Sequence, residues 1–273
     1  MAGVHGCEYV AMAALQKFLD SVDESRIKGE LRVITMANAA SFWTRTSFVV
    51  PHDGKNLNRS FPGNPEGSFT ERLAHVIFQE LIRPVDFFID MHSGDLVEDL
   101  EPFVLFEESD VTDRARALAQ SYGLGHVVRV VKSDSPISGT ASGAAAEIGI
   151  AAITAEVGRC GLLEHDAVDQ HERGLRRALV HTGVLEVRGE EEVPTSPPLE
   201  HSSWAWLRSP ISGWWSPRVS VGHYVEAGEQ IGEVREIEGL GRHVVSAPSS
   251  GYLLFMTSSP AVDVDGLLLG LAC

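Results

Sequence analysis

The sequence predicts an α/β fold in which helices cover both faces of a mainly parallel mixed sheet, followed by an all-β module. Through most of the chain, segments with apolar residues at helical spacing alternate with short apolar runs of the kind that form buried strands. This alternation is typical of a parallel sheet with helices on both faces. Towards the C-terminus, short β-like pieces are separated by glycines, and this pattern predicts a second, β-rich unit.

Four helices are predicted from apolar positions that recur at helical spacing. In the first of them, Val10, Ala14 and Phe18 fall on one face. The predicted helices cover residues 8–22, 69–82, the region around 115–122, and 164–184. The small residues at 138–143 allow either a loop that leads into a helix or an ordinary turn with a helix cap.

Five apolar runs predict strands, and two of them lead directly to polar residues. The runs cover residues 31–36, 87–91, 103–106, 126–131 and 151–156. His92 follows the second run, and Glu156 ends the fifth. In open α/β sheets the ligand site lies at the carboxyl ends of the strands. We therefore expect His92 and Glu156 to lie at the site.

Two short motifs supply the residue types of a catalytic zinc site. His5 and Glu8 are three residues apart, so a loop that leads into a helix can turn both toward one ion. With His92 they make two imidazoles and a carboxylate, a standard ligand set that leaves a fourth position for water. The sequence therefore predicts one zinc ion per chain, which lowers the pKa of water from about 16 to about 7. Asp90 is either an ordinary strand-end residue or a carboxylate that orients His92.

Two further motifs supply a base and an anion-binding group. Glu156 lies just before Gly158, which permits a sharp turn, and a carboxylate beside a metal suits a general base. Arg59 offers a planar fork for a carboxylate, and Asn58 adds a neutral hydrogen-bonding group. Each motif alone is weak, because such clusters also arise by chance. The four in this order indicate a zinc hydrolase that cleaves an amide bond next to an acidic group.

The four motifs resemble those of the succinylglutamate desuccinylase/aspartoacylase family, a branch of the zinc carboxypeptidase-like superfamily. Residues 3–8 are similar to the family's G-x-H-G-[DN]-E, with Cys7 in place of the usual Asp or Asn. Residues 53–63 are close to D-G-x-N-L-N-R-x-F-P-G. Residues 90–94 match D-x-H-S-G, and residues 156–158 match E-x-G. The long second motif resembles that of members that act on N-acetylated diamino acids, as in an N-acetyl-diaminobutyrate deacetylase-like subgroup.

The resemblance implies a zinc carboxypeptidase-like fold and a role for each matching residue. It assigns metal binding to His5, Glu8 and His92, and substrate binding to Asn58 and Arg59. It assigns the catalytic role to Glu156. The family also uses an arginine upstream of the Asn-Arg pair to polarise the scissile carbonyl. Arg45 is the candidate for that catalytic role, and a solvated loop arginine is the alternative.

The resemblance also bears on the two ends of the chain. Family members normally have strands before the first motif, whereas Met1 lies four residues from His5, so either the chain is truncated or its sheet is built without those strands. The C-terminal phrases resemble the biotinyl/lipoyl-like modules of many members. Carriers of that type attach their cofactor to a lysine, and none follows Lys132. We therefore expect the module to pack on the catalytic domain and to shape either the pocket or an oligomer interface. Family members often assemble, which implies a homo-oligomer.

A change of composition near residue 189 predicts a domain boundary. Acidic residues are followed there by Pro194, Pro197 and Pro198, as in a linker. The predicted units are a zinc-dependent catalytic domain at 1–188, a linker at 189–200 and a β-rich module at 201–273.

Composition argues against several other classes of function. The net charge of −16 argues against a nucleic-acid partner, and no apolar run is long enough to span a membrane. Cys7, Cys160 and Cys273 form neither a disulfide framework nor a zinc finger, which favours the reducing cytoplasm. The expected partner is a small-molecule N-acyl amino acid.

The main prediction is a zinc-dependent hydrolase that cleaves the amide bond of an N-acyl amino acid or a related small carboxylate. One rival is a zinc carboxypeptidase on short peptides, because Arg59 would serve a C-terminal carboxylate equally well. Another is a degenerate family member that binds a ligand without turnover. The short N-terminus and Cys7 favour this second rival, whereas the intact ligand set and Glu156 count against it.

Overall fold

The computed structural model describes residues 1–131, 138–187, 196–239 and 241–273. The helices are α1 (Tyr9–Ser21), α2 (Ala39–Thr44), α3 (Phe69–Ile77), α4 (Thr112–Tyr122), α5 (Ala141–Glu147) and α6 (His165–His181). A π-helical turn at Phe78–Ile82 extends α3, and short 3₁₀ helices lie at Glu24–Arg26 and Leu57–Arg59. The strands of the first domain are β1 (Phe87–His92), β2 (Glu98–Leu100), β3 (Phe103–Glu107), β4 (His126–Val130) and β5 (Ala151–Glu156). The later strands are β6 (Leu199–His201), β7 (Trp204–Arg208), β8 (Gly213–Pro217), β9 (Tyr224–Val225), β10 (Gln230–Arg235), β11 (Arg242–Ser246), β12 (Gly251–Thr257), β13 (Ala261–Val262) and β14 (Leu267–Ala272).

A mixed sheet with the strand order β1-β5-β3-β4-β6 forms the centre of the first domain. Among the described strands, β1 pairs with β5, β3 with β4 and β4 with β6 in parallel, while β3 and β5 are antiparallel. The mainly parallel mixed sheet predicted from the sequence is therefore confirmed. Because β1 and β5 run in parallel, their carboxyl ends meet, and His92 lies directly opposite Glu156.

Helices cover both faces of this sheet because side chains along each strand point alternately to opposite faces. On β5, Ala152 packs toward α3 and α5, whereas Ala151 and Ile153 pack toward α4. Helices α1 and α6 cover the β1 end of the second face, where Phe18 of α1 is fully buried. The helices predicted at 8–22, 69–82, 115–122 and 164–184 are confirmed, with ends that differ by a few residues. The 138–143 segment leads into α5, which Thr140 caps by accepting a hydrogen bond from the backbone of Gly143.

The predicted strand at 31–36 is wrong, because this segment has no ladder of backbone hydrogen bonds. Its bonds to the N-terminal segment include one from the Ala2 N–H to the Ile34 carbonyl, at 2.8 Å. On its other side, Ala2 forms a parallel bridge with Met91 of β1. The N-terminal amino group donates to the Ile89 carbonyl at 2.9 Å. The loop that carries His5 is therefore fixed by backbone bonds to the strand that carries His92.

The C-terminal module consists of two antiparallel sheets in the residues that the structure describes. One has the order β11-β10-β8-β13, and the other has the order β2-β12-β14-β7, with β9 also paired to β12. Strand β2 comes from the first domain, so the two units share a sheet. Leu100, Phe103 and Phe255 lie in the apolar cluster that joins the units.

The predicted linker at 189–200 is too long at its C-terminal end. Residues 188–195 lie outside the described part of the chain, but Leu199 and Glu200 belong to β6. They pair with His126 and Val127 of β4, because β6 completes the edge of the central sheet. No helix among the described residues has both the length and the apolar character needed to cross a membrane.

A buried histidine pair at the β4–β6 contact makes stability depend on pH. His126 Nδ1 lies 3.0 Å from His201 Nε2. One of these two nitrogens must be unprotonated to accept the hydrogen bond that the other donates. Burial, followed by the charge of His201, lowers the pKa of His126 to about 4. The folded protein therefore binds fewer protons than the unfolded chain between pH 4 and 6.5, and stability is lost as the pH falls through this window.

We expect this pair to lower the free energy of unfolding by on the order of 1–2 kcal/mol between pH 7 and 4.5. Urea unfolding at the two pH values measures the effect, and the double variant His126→Gln/His201→Gln should show a flatter pH dependence. The exposed His52→Gln variant is the control. An equal pH dependence in all three proteins would contradict this interpretation.

Candidate active site

The fold brings together the side chains of His5, Glu8 and His92, which lie far apart in the sequence. His5 lies in the loop before α1, Glu8 is the residue that precedes α1, and His92 ends β1. All three side chains are buried, and one ligand atom of each lies within 4.8 Å of the others. The two oxygens of Glu8 contact one imidazole each, at 2.5 Å from His5 Nδ1 and 2.8 Å from His92 Nδ1.

The outer nitrogens of both imidazoles are held by oxygen atoms. His5 Nε2 lies 3.1 Å from the side-chain oxygen of Asn56, which also accepts a hydrogen bond from the Asn58 backbone at 2.7 Å. His92 Nε2 lies 3.0 Å from Asp90 Oδ2, in the geometry of an ion pair rather than a linear hydrogen bond. The oxygen partner at His5 Nε2 favours a proton there and leaves Nδ1 for a metal, as is usual for metal-binding histidines. His92 Nε2 also lies 3.4 Å from the amide nitrogen of Asn58.

The charges of the cluster attract a cation. Burial opposes ionisation of Glu8, but the charges of His92 and His5 lower its pKa to about 2. Burial acts to lower the pKa of His92, yet Glu8 and Asp90 raise it well above its usual range. Two imidazoles and two carboxylates in a buried space hold positive charge strongly, either as protons or as a divalent ion. The donor set of two Nδ1 atoms and one carboxylate therefore fits zinc.

Asp90 should position His92 for metal binding, since its carboxylate is fully buried against the ring. We expect Asp90→Asn to keep the shape of the site and to weaken zinc affinity about 10–100-fold. Competition with a chromophoric chelator measures this affinity. Asp86→Asn, at the exposed start of the same strand region, is the control, and an unchanged affinity of the Asp90→Asn variant would contradict the role.

Glu156 lies beside the cluster at the end of β5. Its Cα is the ladder partner of His92, and its side chain lines the same cavity as the three cluster residues. Burial raises the pKa of Glu156 well above its usual range, with His92 acting in the opposite direction. A divalent cation nearby would favour the ionised form. A general base must take up and release a proton, and a carboxylate beside a metal can do both.

Asn58 and Arg59 reach this cavity from the short 3₁₀ helix at Leu57–Arg59. Asn58 Oδ1 accepts a hydrogen bond from the Ala141 backbone at 2.9 Å, so its amide nitrogen is turned toward His92. Arg59 Nη1 donates to the Asn58 carbonyl at 2.6 Å, while the rest of the guanidinium stays accessible. Gly139 permits this arrangement, because at φ +74° a Cβ there would lie 2.5 Å from the Arg59 carbonyl oxygen.

The structure does not bring Arg45 to the cavity. Arg45 ends α2 in the left-handed conformation, with φ 55°, and its side chain is exposed. Its charge acts on Tyr9 rather than on the His5–Glu8–His92 cluster. The prediction that Arg45 polarises the scissile carbonyl therefore has no support in this arrangement, which matches the alternative of a solvated loop arginine.

The cavity has a volume of about 480 Å³ and is closed on one side by the C-terminal module. Trp204, Trp206 and Phe255 of the module contribute apolar surface to its lining. These residues belong to none of the four motifs, and neither does Glu98, which also lines the cavity. The Asn56 contact to His5 could have been expected, since Asn56 belongs to the second motif.

A buried cluster of two histidines and a glutamate, with a free glutamate at the ends of neighbouring parallel strands, is suited to metal-assisted hydrolysis. Comparison with known proteins identifies the family of the chain. Residues 1–182 match the model of the succinylglutamate desuccinylase/aspartoacylase catalytic domain, and the chain belongs to this family.

A curated relative supports the assignment, and two solved structures are similar to the chain. The N-alpha-acetyl-L-2,4-diaminobutyric acid deacetylase of Halomonas elongata is 31% identical over 248 residues, which cover 88% of this chain and 70% of that protein. A succinylglutamate desuccinylase from Silicibacter sp. TM1040 is 25% identical, with a TM-score of 0.85 over 100% of this chain and 84% of that one. The product-bound ectoine utilization protein EutE (DoeB) from Ruegeria pomeroyi is 24% identical and shares the fold, with a TM-score of 0.87 over 99% of this chain and 83% of that one.

Proposed function

We propose that the protein is a zinc-dependent deacylase that hydrolyses the amide bond of an N-acyl amino acid, with N-acetylated diamino acids as the substrate class. The observation that carries the proposal is the shared cavity. It is lined by the His5–Glu8–His92 cluster, by Glu156 and by Arg59. The substrate class is supported by the 31% identity to the diaminobutyric acid deacetylase.

Metal binding falls to His5, Glu8 and His92, with Asn56 and Asp90 holding the two rings in place. A zinc ion held there supplies Lewis acidity and makes water a stronger acid, by lowering its pKa to about 7. The ring orientations already point both Nδ1 atoms toward Glu8, so the residues need little rearrangement to bind an ion.

Glu156 acts as the general base and then as the general acid. Its carboxylate takes a proton from the attacking water and returns it to the nitrogen of the leaving amine, which prevents the amide from re-forming. Such proton transfer contributes about 10²–10⁴ in rate. Glu156 is half-buried and lines the cavity, which places its carboxylate beside the bound substrate.

Arg59 and Asn58 bind the carboxylate of the amino acid. The free N–H groups of Arg59 offer a bidentate contact, and Asn58 adds its amide nitrogen from the side of His92. This contact places the amide bond between the metal-binding residues and Glu156. Positioning of this kind is a large part of catalysis in small-substrate enzymes.

A substrate panel tests the proposed function. Zinc-loaded protein is expected to release acetate from N-acetylated amino acids, with the highest kcat/KM on an N-acetylated diamino acid. Preferential cleavage of dipeptides would instead identify a carboxypeptidase. Stoichiometric zinc with no turnover of either group of substrates would identify a binding protein. Either of these two results would overturn the proposal.

A further inference from the structure

The cavity contains a carboxylate for which the proposed mechanism has no use, that of Glu98. This residue begins β2, the strand through which the first domain pairs with β12 of the C-terminal module. Its backbone is fixed on both sides, with its N–H donating to the Asp95 carbonyl at 2.9 Å and its carbonyl accepting from Cys160 at 2.7 Å. The backbone of Glu98 is therefore held by neighbouring segments of the first domain, and its Cα pairs with Thr257 of the module.

The carboxylate of Glu98 is only partly satisfied by the protein. One oxygen, Oε2, accepts a hydrogen bond from the Asp95 backbone at 2.9 Å. Within the described part of the chain, no hydrogen bond to Oε1 and no ion pair of Glu98 are found. Burial, followed by the charge of Glu8, raises the pKa of Glu98 to about 7. A half-buried carboxylate of this kind is stabilised when a cation enters the cavity.

The other carboxylates of the cavity already have partners or roles. Glu8 contacts both imidazoles, and Glu156 faces His92 as the proposed base. Glu107 has a partner within the protein and lies close to Gly143 in the first turn of α5. Glu98 is therefore the carboxylate best placed to receive a charged group from a ligand.

Apart from Glu107 and Arg129, which have partners within the protein, the charges that line the cavity match a ligand with one negative and one positive group. Arg59 and Glu98 lie on the same cavity, and the charge of Glu98 acts on the Arg59 guanidinium. An amino acid whose carboxylate binds Arg59 can place an ammonium group on its side chain against Glu98. A second carboxylate on the side chain would instead meet a like charge, which is costly in a partly desolvated site.

We propose that Glu98 is the binding residue for the side-chain ammonium group of the substrate, and that it selects N-acylated diamino acids over neutral and acidic ones. This inference rests on the proposed function and adds to it the residue that sets the side-chain preference. The carboxylate forms a charged hydrogen bond with the ammonium group, and no bond is made or broken at this position.

The test compares two ligands that differ in one charged group. Nα-acetyl-2,4-diaminobutyrate has a side-chain ammonium group, and Nα-acetylnorvaline has a methyl group of similar size in its place. In the Glu98→Gln variant, kcat/KM for the charged substrate should fall about 10–100-fold, mainly through KM, and kcat/KM for the uncharged substrate should stay unchanged or rise. Glu101→Gln is the matched control, because Glu101 is a half-buried glutamate outside this cavity.

Calorimetric binding of free 2,4-diaminobutyrate and norvaline to zinc-loaded protein separates this inference from the proposed function. A preference of the wild type for diaminobutyrate that is lost in Glu98→Gln supports the inference even if no substrate is turned over. Equal losses on both ligands would show a structural role for Glu98, and an unchanged preference would show that it does not bind the ammonium group. Either result would overturn the inference.

Discussion

Glu156→Gln is expected to retain zinc and to lose most of its turnover, with kcat reduced about 10²–10⁴-fold. Glutamine has nearly the same shape as glutamate but cannot take a proton from water or return one to the leaving amine. Glu156 is not one of the three residues that cluster as metal ligands, so the affinity for zinc should change little. KM should also change little, because the substrate carboxylate is bound by other residues.

The measurement for Glu156→Gln combines steady-state kinetics with the zinc content of the same preparation. Glu164→Gln provides a matched control, since Glu164 precedes α6 and does not line the cavity. Near-normal turnover of Glu156→Gln would contradict the assignment of the base. Loss of zinc together with turnover would instead make Glu156 part of the metal site.

His92→Ala is expected to lose both zinc and activity. The substitution removes one of the two imidazoles, and it leaves Glu8 and the fully buried Asp90 without their common partner. Removing one partner of a buried ion pair typically costs about 3–5 kcal/mol, so the free energy of unfolding should also fall.

Zinc content of purified His92→Ala protein, determined by atomic absorption, is the measurement for this prediction. His165→Ala is the control, because His165 is an exposed histidine at the start of α6. His92→Gln keeps more of the buried volume and serves if the alanine variant does not fold. One zinc ion per chain in a folded His92 variant would contradict the ligand set.

The parts of the fold that local sequence determines were predicted well. Helices α1 and α6 follow from apolar spacing, and β1 and β5 follow from apolar runs, because burial of one face or both faces dictates these patterns. The run at 31–36 has the same apolar character but forms no ladder, since pairing depends on a neighbour that the local sequence does not specify. The same holds for β6, whose residues follow prolines and were therefore assigned to a linker.

For the candidate site too, residues in local motifs could be predicted from the sequence, whereas residues placed by long-range contacts could not. The cluster residues were found because each motif couples a ligand type to a strand end or a helix start, and the fold brings these ends together. Glu98 was missed because it belongs to none of the motifs, and its strand pairs with a distant one, Glu98 with Thr257. Arg45 was assigned by its order in the chain, and the left-handed turn that directs it to solvent has no clear sequence signal.

X-ray absorption at the zinc edge of reconstituted protein tests the central claim most directly. We expect one zinc ion per chain, surrounded only by nitrogen and oxygen atoms at about 2.0–2.2 Å, with the scattering pattern of two imidazole rings. Replacement of Glu8 by glutamine should disturb this spectrum. A sulfur atom at about 2.3 Å, which would place Cys7 on the metal, or a spectrum without imidazole scattering would contradict the His5–Glu8–His92 site.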